Sequence, residues 1–524
     1  MTPDHPLITV VVALVVLAGM VLLSVRPPGA LGAGPAGGVA HGIADAVEQR
    51  IPAAGEPDGL TVVDAAELKG LDEAELEYEG VSASVTYPVL PNAEPLSDFL
   101  RERLGAEVAA FDAANPGAES YEAEWNVTAA ADGLVGVRMT SVETDSEGAK
   151  ECHATYWYDI VGGRTRGSQS LLAGQKELAA LNTLVRDRVG DAAETGAVLP
   201  VASLYDSVGF NPDGDLVVEF DAGQVAAVDA GPVTAVVERA DAEPLLSEFG
   251  LRALRAATTG VEGFAITAAP EEIPEAGEEV VPGIISPVDA SVDCASTEVK
   301  CVALTYDDGP GGRTPELLDM LAEHDAKATF FVTGLPVMEN PRTVRRAYAE
   351  GHEIANHTLS HPDLAGLGAD GVRSNLNTVQ ALVYRETGYT MDLMRPPYGS
   401  TNGNVASVTG DMGLAQIMWS IDTNDWKDRD ASVVAGRAIS GASDGAIILM
   451  HDIHDTTIDA SREIIRELDA RGYTMVTVSQ LLGEVEPGES YVAGAPDAPP
   501  SEGPSDVADP DSTEERTHRS EERE

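Results

Sequence analysis

The segment "TYDDGP", residues 305–310, sets Asp307 and Asp308 side by side at the end of an apolar run. An Asp before Gly-Pro is ordinary turn chemistry, and its neighbour can simply be solvated. Two adjacent carboxylates acquire separate uses once other groups join them. "NHTLSHP" supplies His357 and His361, four residues apart, a spacing that predicts both rings on one face of a helical turn. Surface histidines at that spacing are also common. Together with Asp308 they make a two-histidine, one-carboxylate set suited to Zn²⁺, or to a similar ion such as Co²⁺, with positions left open for water and substrate. Asp307 is then free to take a proton from water as a general base.

Three more clusters stand where such chemistry needs them. "RPPYG", residues 395–399, holds Arg395, a cation able to pair with Asp307; its plain reading is a proline-stiffened turn. "DTNDW", residues 422–426, ends an apolar run with two acids and a tryptophan, and otherwise reads as a polar loop over a buried ring. "LMHD", residues 449–452, ends another run with His451, which a backbone group could satisfy. Five such clusters at run ends within one region point to a shared site.

The elements that must position them alternate in type. "VALTYD", "ATFFVTG", "HEIANHT", "AQIMWSID", "AIILMHD" and "YTMVTVS" read as buried strands, separated by helical stretches such as "TPELLDMLAEHD" and "TIDASREIIRELDARG". That alternation predicts an α/β unit with a parallel sheet, open or closed into a barrel, and chemistry at the C-terminal strand ends. The boundaries read as follows: residues 1–28 a signal peptide or transmembrane anchor, 29–78 a linker, 79–262 a smaller α+β domain, 263–297 an acidic Pro-rich linker, 298–483 the β/α domain, and 484–524 a disordered acidic tail. Within 79–262, "VSASVTYPVL" alternates as a strand, "PLSDFLRERLGAEVAAF" has helical period, and Asp132-Gly133 marks a hairpin.

The chain has 524 residues, 33 basic against 87 acidic, a formal net charge of -54. Such a surface repels nucleic acid and anionic membranes, so neither is expected as a partner. Residues 7–25 carry no charge and are long enough to cross a bilayer, or to serve as a signal-peptide core, so membrane contact is expected only through them. Residues 1–6 lack Lys and Arg, which gives the positive-inside rule nothing to act on. Export is expected because the chemistry needs an extracellular substrate. In an exported chain Cys294 and Cys301 are expected to form a disulfide, leaving Cys152 over.

Residues 298–483 resemble the polysaccharide deacetylases, the NodB-homology domain of carbohydrate esterase family 4. "TYDDGP", "HTLSH", "RPPYG", "DTNDW" and "LMH" are similar to that family's five motifs in order, with Tyr306 where phenylalanine is usual. The resemblance implies a distorted (β/α) barrel. It also implies Asp307 as general base, Asp308, His357 and His361 as metal ligands, and Arg395 orienting Asp307. His451 would be the general acid tuned by Asp422. The backbone N–H of Tyr398 would help form the oxyanion hole, and Trp426 and Leu449 would line the acetyl pocket. Residues 79–262 are similar to a companion domain of some peptidoglycan deacetylases and lysozyme-sensing anti-sigma factors, which favours an N-acetylated wall glycan as partner. The expected activity is removal of N-acetyl groups from GlcNAc or MurNAc. An O-acetyl esterase acting on xylan, or a glycan-binding sensor with an inactive site, are the alternatives.

Overall fold

A computed structural model describes residues 59–146, 148–261, 263–269 and 281–494. The chain first builds one mixed sheet from β1 (Asp72–Glu75), β2 (Ser82–Val89), β3 (Ser120–Ala131), β4 (Leu134–Asp145), β5 (Gly148–Asp159) and β6 (Arg164–Gly167), paired in that order. Only the β2–β3 pairing is parallel. The β3–β4 hairpin turns at Asp132 and Gly133, both left-handed (φ 51° and 74°), the backbone a two-residue hairpin turn demands. Helix Glu94–Ala114 buries Leu96, Leu100, Leu104 and Val108 against this sheet, every fourth residue on one stripe. A small antiparallel meander follows: β7 (Ser207–Phe210), β8 (Leu216–Phe220) and β9 (Val233–Val237).

The β/α unit comprises β10 (Lys300–Asp307), β11 (Thr329–Val332), β12 (Glu353–Asn356), β13 (Leu393–Met394), β14 (Ala415–Ile417), β15 (Ile421–Asp422), β16 (Ala446–His451), β17 (Tyr473–Val476) and β18 (Ser490–Tyr491). Their order is β15-β16-β10-β11-β12-β13-β14-β18, all parallel, with β17 against the first half of β10. From Cys301 on, every residue of β10 is buried, which is why parallel strands read as unbroken apolar runs. The fold is thus α/β with a curled, open parallel sheet, preceded by a mixed sheet and a small antiparallel one that form an α+β part.

One run read as a single strand is divided. "AQIMWSID" yields β14 and β15, which lie near opposite ends of the strand order. Between them the ladder changes partner: Met418 N–H donates to Tyr491 O (2.7 Å) and Ser420 N–H to Ile447 O (3.0 Å). The sheet opens at this point. The apolar pattern carries no record of such a break, because Trp419 and Ile421 continue the run on either side of Ser420, although Ser420 is exposed and both neighbours are only half-buried.

Several expected boundaries move. β1 falls inside the stretch read as a linker, and Leu68 bridges to Phe264, so the first sheet takes residues from both flanks. β18 pairs with β14 from within the expected tail. These short segments are polar and half-exposed, and give no periodic signal. The disulfide Cys294–Cys301 is formed and Cys152 is a half-buried free thiol. The expected membrane contact is corrected: among the described residues no helix is long and apolar enough to cross a membrane. Residues 7–25 themselves lie outside the described residues.

The α+β part and the β/α unit share one apolar core, in which Val201, Leu204 and Ala226 join Ala347, Tyr348 and Val383. Polar contacts fix the register. Ser203 Oγ donates to Glu386 O (2.5 Å), and Arg345, buried and paired with Glu386, donates to Gln224 O (2.8 Å). Glu386 is on the last turn of helix Ala369–Thr387, which returns the chain to the N-terminal edge of the sheet. The first part therefore docks on the outer helices Pro341–Ala349 and Ala369–Thr387.

Candidate active site

Asp307 ends β10 between the ends of β16 and β11. Its Oδ1 accepts from Arg395 Nη1 at 2.7 Å. Arg395 follows β13 directly and is fully buried. Its other donors go to Thr305 Oγ1 (2.8 Å), Ile417 O (2.9 Å) and Met418 O (3.0 Å). The last two are carbonyls at the break between β14 and β15. The guanidinium also lies 4.0 Å from the Phe331 ring centre. Burial raises the Asp307 carboxyl above its ordinary range, with Arg395 pulling the other way. The result is a carboxylate held ionised by a fixed partner yet more basic than one in water.

Asp308, His357 and His361 bring one ligand atom each within 4.8 Å of one another. Asp308 has a left-handed backbone (φ 71°) at the start of the Gly309–Gly312 loop, where Asp452 fills the space a side chain at Gly309 would need. His357 follows β12, and its Nδ1 donates to Arg395 O (2.7 Å), so Nε2 faces Asp308 Oδ1 at 3.5 Å. His361 Nε2 lies 3.4 Å from the same oxygen. The two histidines are not on a helical turn as expected. Residues 357–361 form a loop in which Thr358 and His361 are both left-handed (φ 72° and 55°), a local structure that four-residue spacing cannot distinguish from a helix.

A divalent ion fits this set. Asp308 Oδ1 is buried with no hydrogen-bond donor among the described residues, although a buried acceptor ordinarily has one. Ligand atoms about 2.0–2.1 Å from a tetrahedral ion stand about 3.4 Å apart, close to the 3.5 and 3.4 Å that separate Asp308 Oδ1 from the two histidine nitrogens. Burial lowers His357 to about 3, so its ring is neutral and able to ligate. The Nδ1 contact to a backbone carbonyl is the outer support that orients a ligating histidine.

On the other side of Asp307, His451 ends β16 with its ring turned onto a carboxylate. That carboxylate is Asp425, where Asp422 was expected. Asp425 Oδ1 is 2.8 Å from His451 Nδ1, while Asp425 Oδ2 accepts from His451 N (2.8 Å) and Thr457 Oγ1 (2.6 Å). Asp422 lies in β15 beside Leu449, and its Oδ1 accepts from Asn424 N (2.7 Å). Asn424 is left-handed (φ 52°), so the chain reverses between the two acids and only the second comes under the imidazole. The second acid of "DTNDW" was the available signal; Thr457, far along the chain, had none. Burial works against a charged imidazole, but Asp425, with Asp307 and Asp308, outweighs it and holds His451 up at about 9.

Trp426 and Tyr398 stand exposed at the mouth, whereas Leu449 is buried. Tyr398 is left-handed (φ 61°), and its ring packs edge-on 4.6 Å from His361. Asp307, Asp308, His357, His361, Arg395 and His451 therefore converge, with Tyr398 and Trp426 on the rim and Asp422 set back.

The family described as "Polysaccharide deacetylase" matches residues 295–417. The chitooligosaccharide deacetylase of Sinorhizobium fredii is 35% identical over 205 residues, 36% of this chain and 95% of that protein. This chain belongs to the polysaccharide deacetylase family. Two relatives that are more similar carry wall-glycan names. Peptidoglycan-N-acetylglucosamine deacetylase PgdA of Listeria monocytogenes is 44% identical over 194 residues, 37% of this chain and 41% of its own length. Peptidoglycan-N-acetylmuramic acid deacetylase PdaC of Bacillus subtilis is 42% identical over 183 residues, covering 35% and 38%. The match thus spans about two fifths of the length of these relatives. The family match itself runs from just before β10 to the end of β14.

Proposed function

We propose that the protein removes N-acetyl groups from wall glycan, peptidoglycan GlcNAc or MurNAc foremost, and releases acetate. The observation that carries this is Asp307. It is buried and ion-paired to Arg395, with the Asp308, His357 and His361 set on one side and His451 on the other. Zn²⁺ suits that donor set best, with Co²⁺ a substitute. When bound, the ion would polarise the acetyl carbonyl and make water a better nucleophile.

The remaining work falls to the chain's own groups. Asp307 takes the proton from the attacking water, and Arg395 keeps Asp307 ionised between turnovers. His451, protonated and backed by Asp425, gives a proton to the departing sugar amine, a poor leaving group without one. The Tyr398 N–H is suited to the oxyanion of the tetrahedral intermediate, and Trp426 and Leu449 to the acetyl methyl. The names of the peptidoglycan deacetylases matched above support the substrate class. The disulfide supports an exported protein acting outside the cell.

Acetate release from N-acetylated peptidoglycan and from O-acetylated xylan, with and without a chelator, tests the reading. Chelator-sensitive release from peptidoglycan is expected. Release from xylan alone would make the protein an esterase, and binding without release would make it a glycan sensor.

A further inference from the structure

The rim of the site holds a cation with no acidic partner among the described residues. Residues 300–494 contain twelve arginines, ten of them ion-paired with a carboxylate. Of the other two, Arg471 donates to Ile439 O (2.8 Å), away from the site. The second is Arg429. In a chain with 87 acids, an arginine with none among the described residues, set against His454 next to His451, calls for a reason.

Its surroundings hold it in that state. Arg429 Nε donates to Trp426 O (2.8 Å), and Nη1 lies 2.6 Å from His454 Nδ1, whose ring is centred 5.8 Å from that of His451. The acids next to it in sequence are engaged elsewhere: Asp428 pairs with Arg437, and Asp430 caps helix Ala431–Gly441. The backbone of Arg429 is left-handed (φ 48°, ψ 38°) just after the short helix Asp425–Asp428, a position glycine fills at least cost. An arginine kept there, its Nη2 without a partner among the described residues, is a preorganised donor beside the exposed ring of Trp426. A net charge of -54 repels anionic polymer at long range, so recognition of such a polymer needs a local cation.

We propose that Arg429 binds a carboxylate of the glycan next to the N-acetyl group being removed, so that the enzyme prefers muramic-acid-containing strands to neutral N-acetylglucosamine oligomers. The inference rests on the deacetylase reading and names its substrate more narrowly. The carboxylate is either the lactyl ether of the muramic unit or an acid of the attached stem peptide. Both present the planar pair of oxygens that a guanidinium recognises.

The test compares wild type, Arg429→Gln and Arg429→Lys on three substrates: neutral N-acetylglucosamine oligomers, peptide-free glycan strands with free lactyl carboxylates, and strands bearing stem peptides. In Arg429→Gln the preference for anionic over neutral substrate, as a ratio of kcat/KM, is expected to fall about tenfold, or about 1.4 kcal/mol, mainly through KM. Arg429→Lys, which keeps the charge, should recover most of it. A fall confined to peptide-free strands assigns the lactyl group, and one confined to peptide-bearing strands assigns the stem. An unchanged ratio, or proportional losses on all three substrates, overturns the inference and leaves the deacetylase reading intact. A wild type releasing acetate from none of the three overturns both.

Discussion

Replacing Asp425 by Asn should move the alkaline limb of the pH–rate profile, and replacing Asp422 should not. His451 is held at about 9 against an ordinary 6.5, a difference of about 2.5 pH units, or about 3 kcal/mol favouring the charged ring. Burial opposes that charge, so the whole of the rise comes from carboxylates. Asp425 leads them, through a 2.8 Å contact to Nδ1. Asparagine keeps the shape of the side chain and removes the charge. The ring should then titrate at or below its ordinary value. On the proposed role of His451 as general acid, activity as kcat/KM should fall off above about pH 6.5 in place of about 9. At pH 8 that difference alone costs about thirtyfold in protonated enzyme, less than the about 10²–10⁴-fold that general acid–base catalysis typically supplies. A cation in the neighbouring three-residue site would lower both limbs together, so the difference between proteins is the quantity to read.

Stability follows with a defined sign. A folded-state value raised above the unfolded one contributes stability that is complete below about pH 6.5 and is lost as pH rises through about 9. The melting temperature of the wild type should therefore decline across that window, and that of Asp425→Asn should be flatter. An alkaline limb that stays in place in Asp425→Asn but moves in Asp422→Asn would refute the assignment.

Two further outcomes are expected. His357→Ala should lose nearly all bound divalent ion by elemental analysis, and nearly all acetate release, while the circular dichroism spectrum is retained; chelated wild type should recover when Zn²⁺ or Co²⁺ is restored. A chain beginning at residue 290 should melt well below the full-length protein, because it loses the Gln224 acceptor of Arg345 and uncovers Tyr348 and Val383. The apolar surface laid open to water sets the size of the loss, and an unchanged melting point would show that the two parts stand independently.

The long apolar runs made the parallel sheet legible, because strands buried on both faces leave an unbroken signal in the sequence. The site was legible where it sits at the ends of those runs: Asp307 closes β10 and His451 closes β16. Reading failed where the backbone departs from regular geometry. Spacing alone set His357 and His361 on a helix, and only the left-handed residues of the loop show otherwise. Asp422 and Asp425 are equivalent as letters. The reversal at Asn424 decides between them, and Asn is tolerated in that conformation without announcing it. The contact of the α+β part with helices Pro341–Ala349 and Ala369–Thr387 also carried no signal, since shared cores arise from residues far apart in the chain.

The opening of the sheet between β14 and β15 has a chemical consequence. The carbonyls of Ile417 and Met418 lie where the chain leaves the β14 ladder. Here both accept from Arg395, at 2.9 and 3.0 Å. Without them a fully buried guanidinium would hold donors that nothing satisfies, and each such donor costs about 1–3 kcal/mol. The break thus lets an arginine be buried, and the buried arginine lets Asp307 remain charged where burial would otherwise protonate it. A base set in the same place on a closed sheet would face the same burial without a compensating cation, and would hold its proton when water needs to give one up. The geometry of the open edge and the basicity of Asp307 are in this sense one feature. A substitution that strengthens pairing across the break should weaken catalysis through Arg395 before it touches any group that meets the substrate.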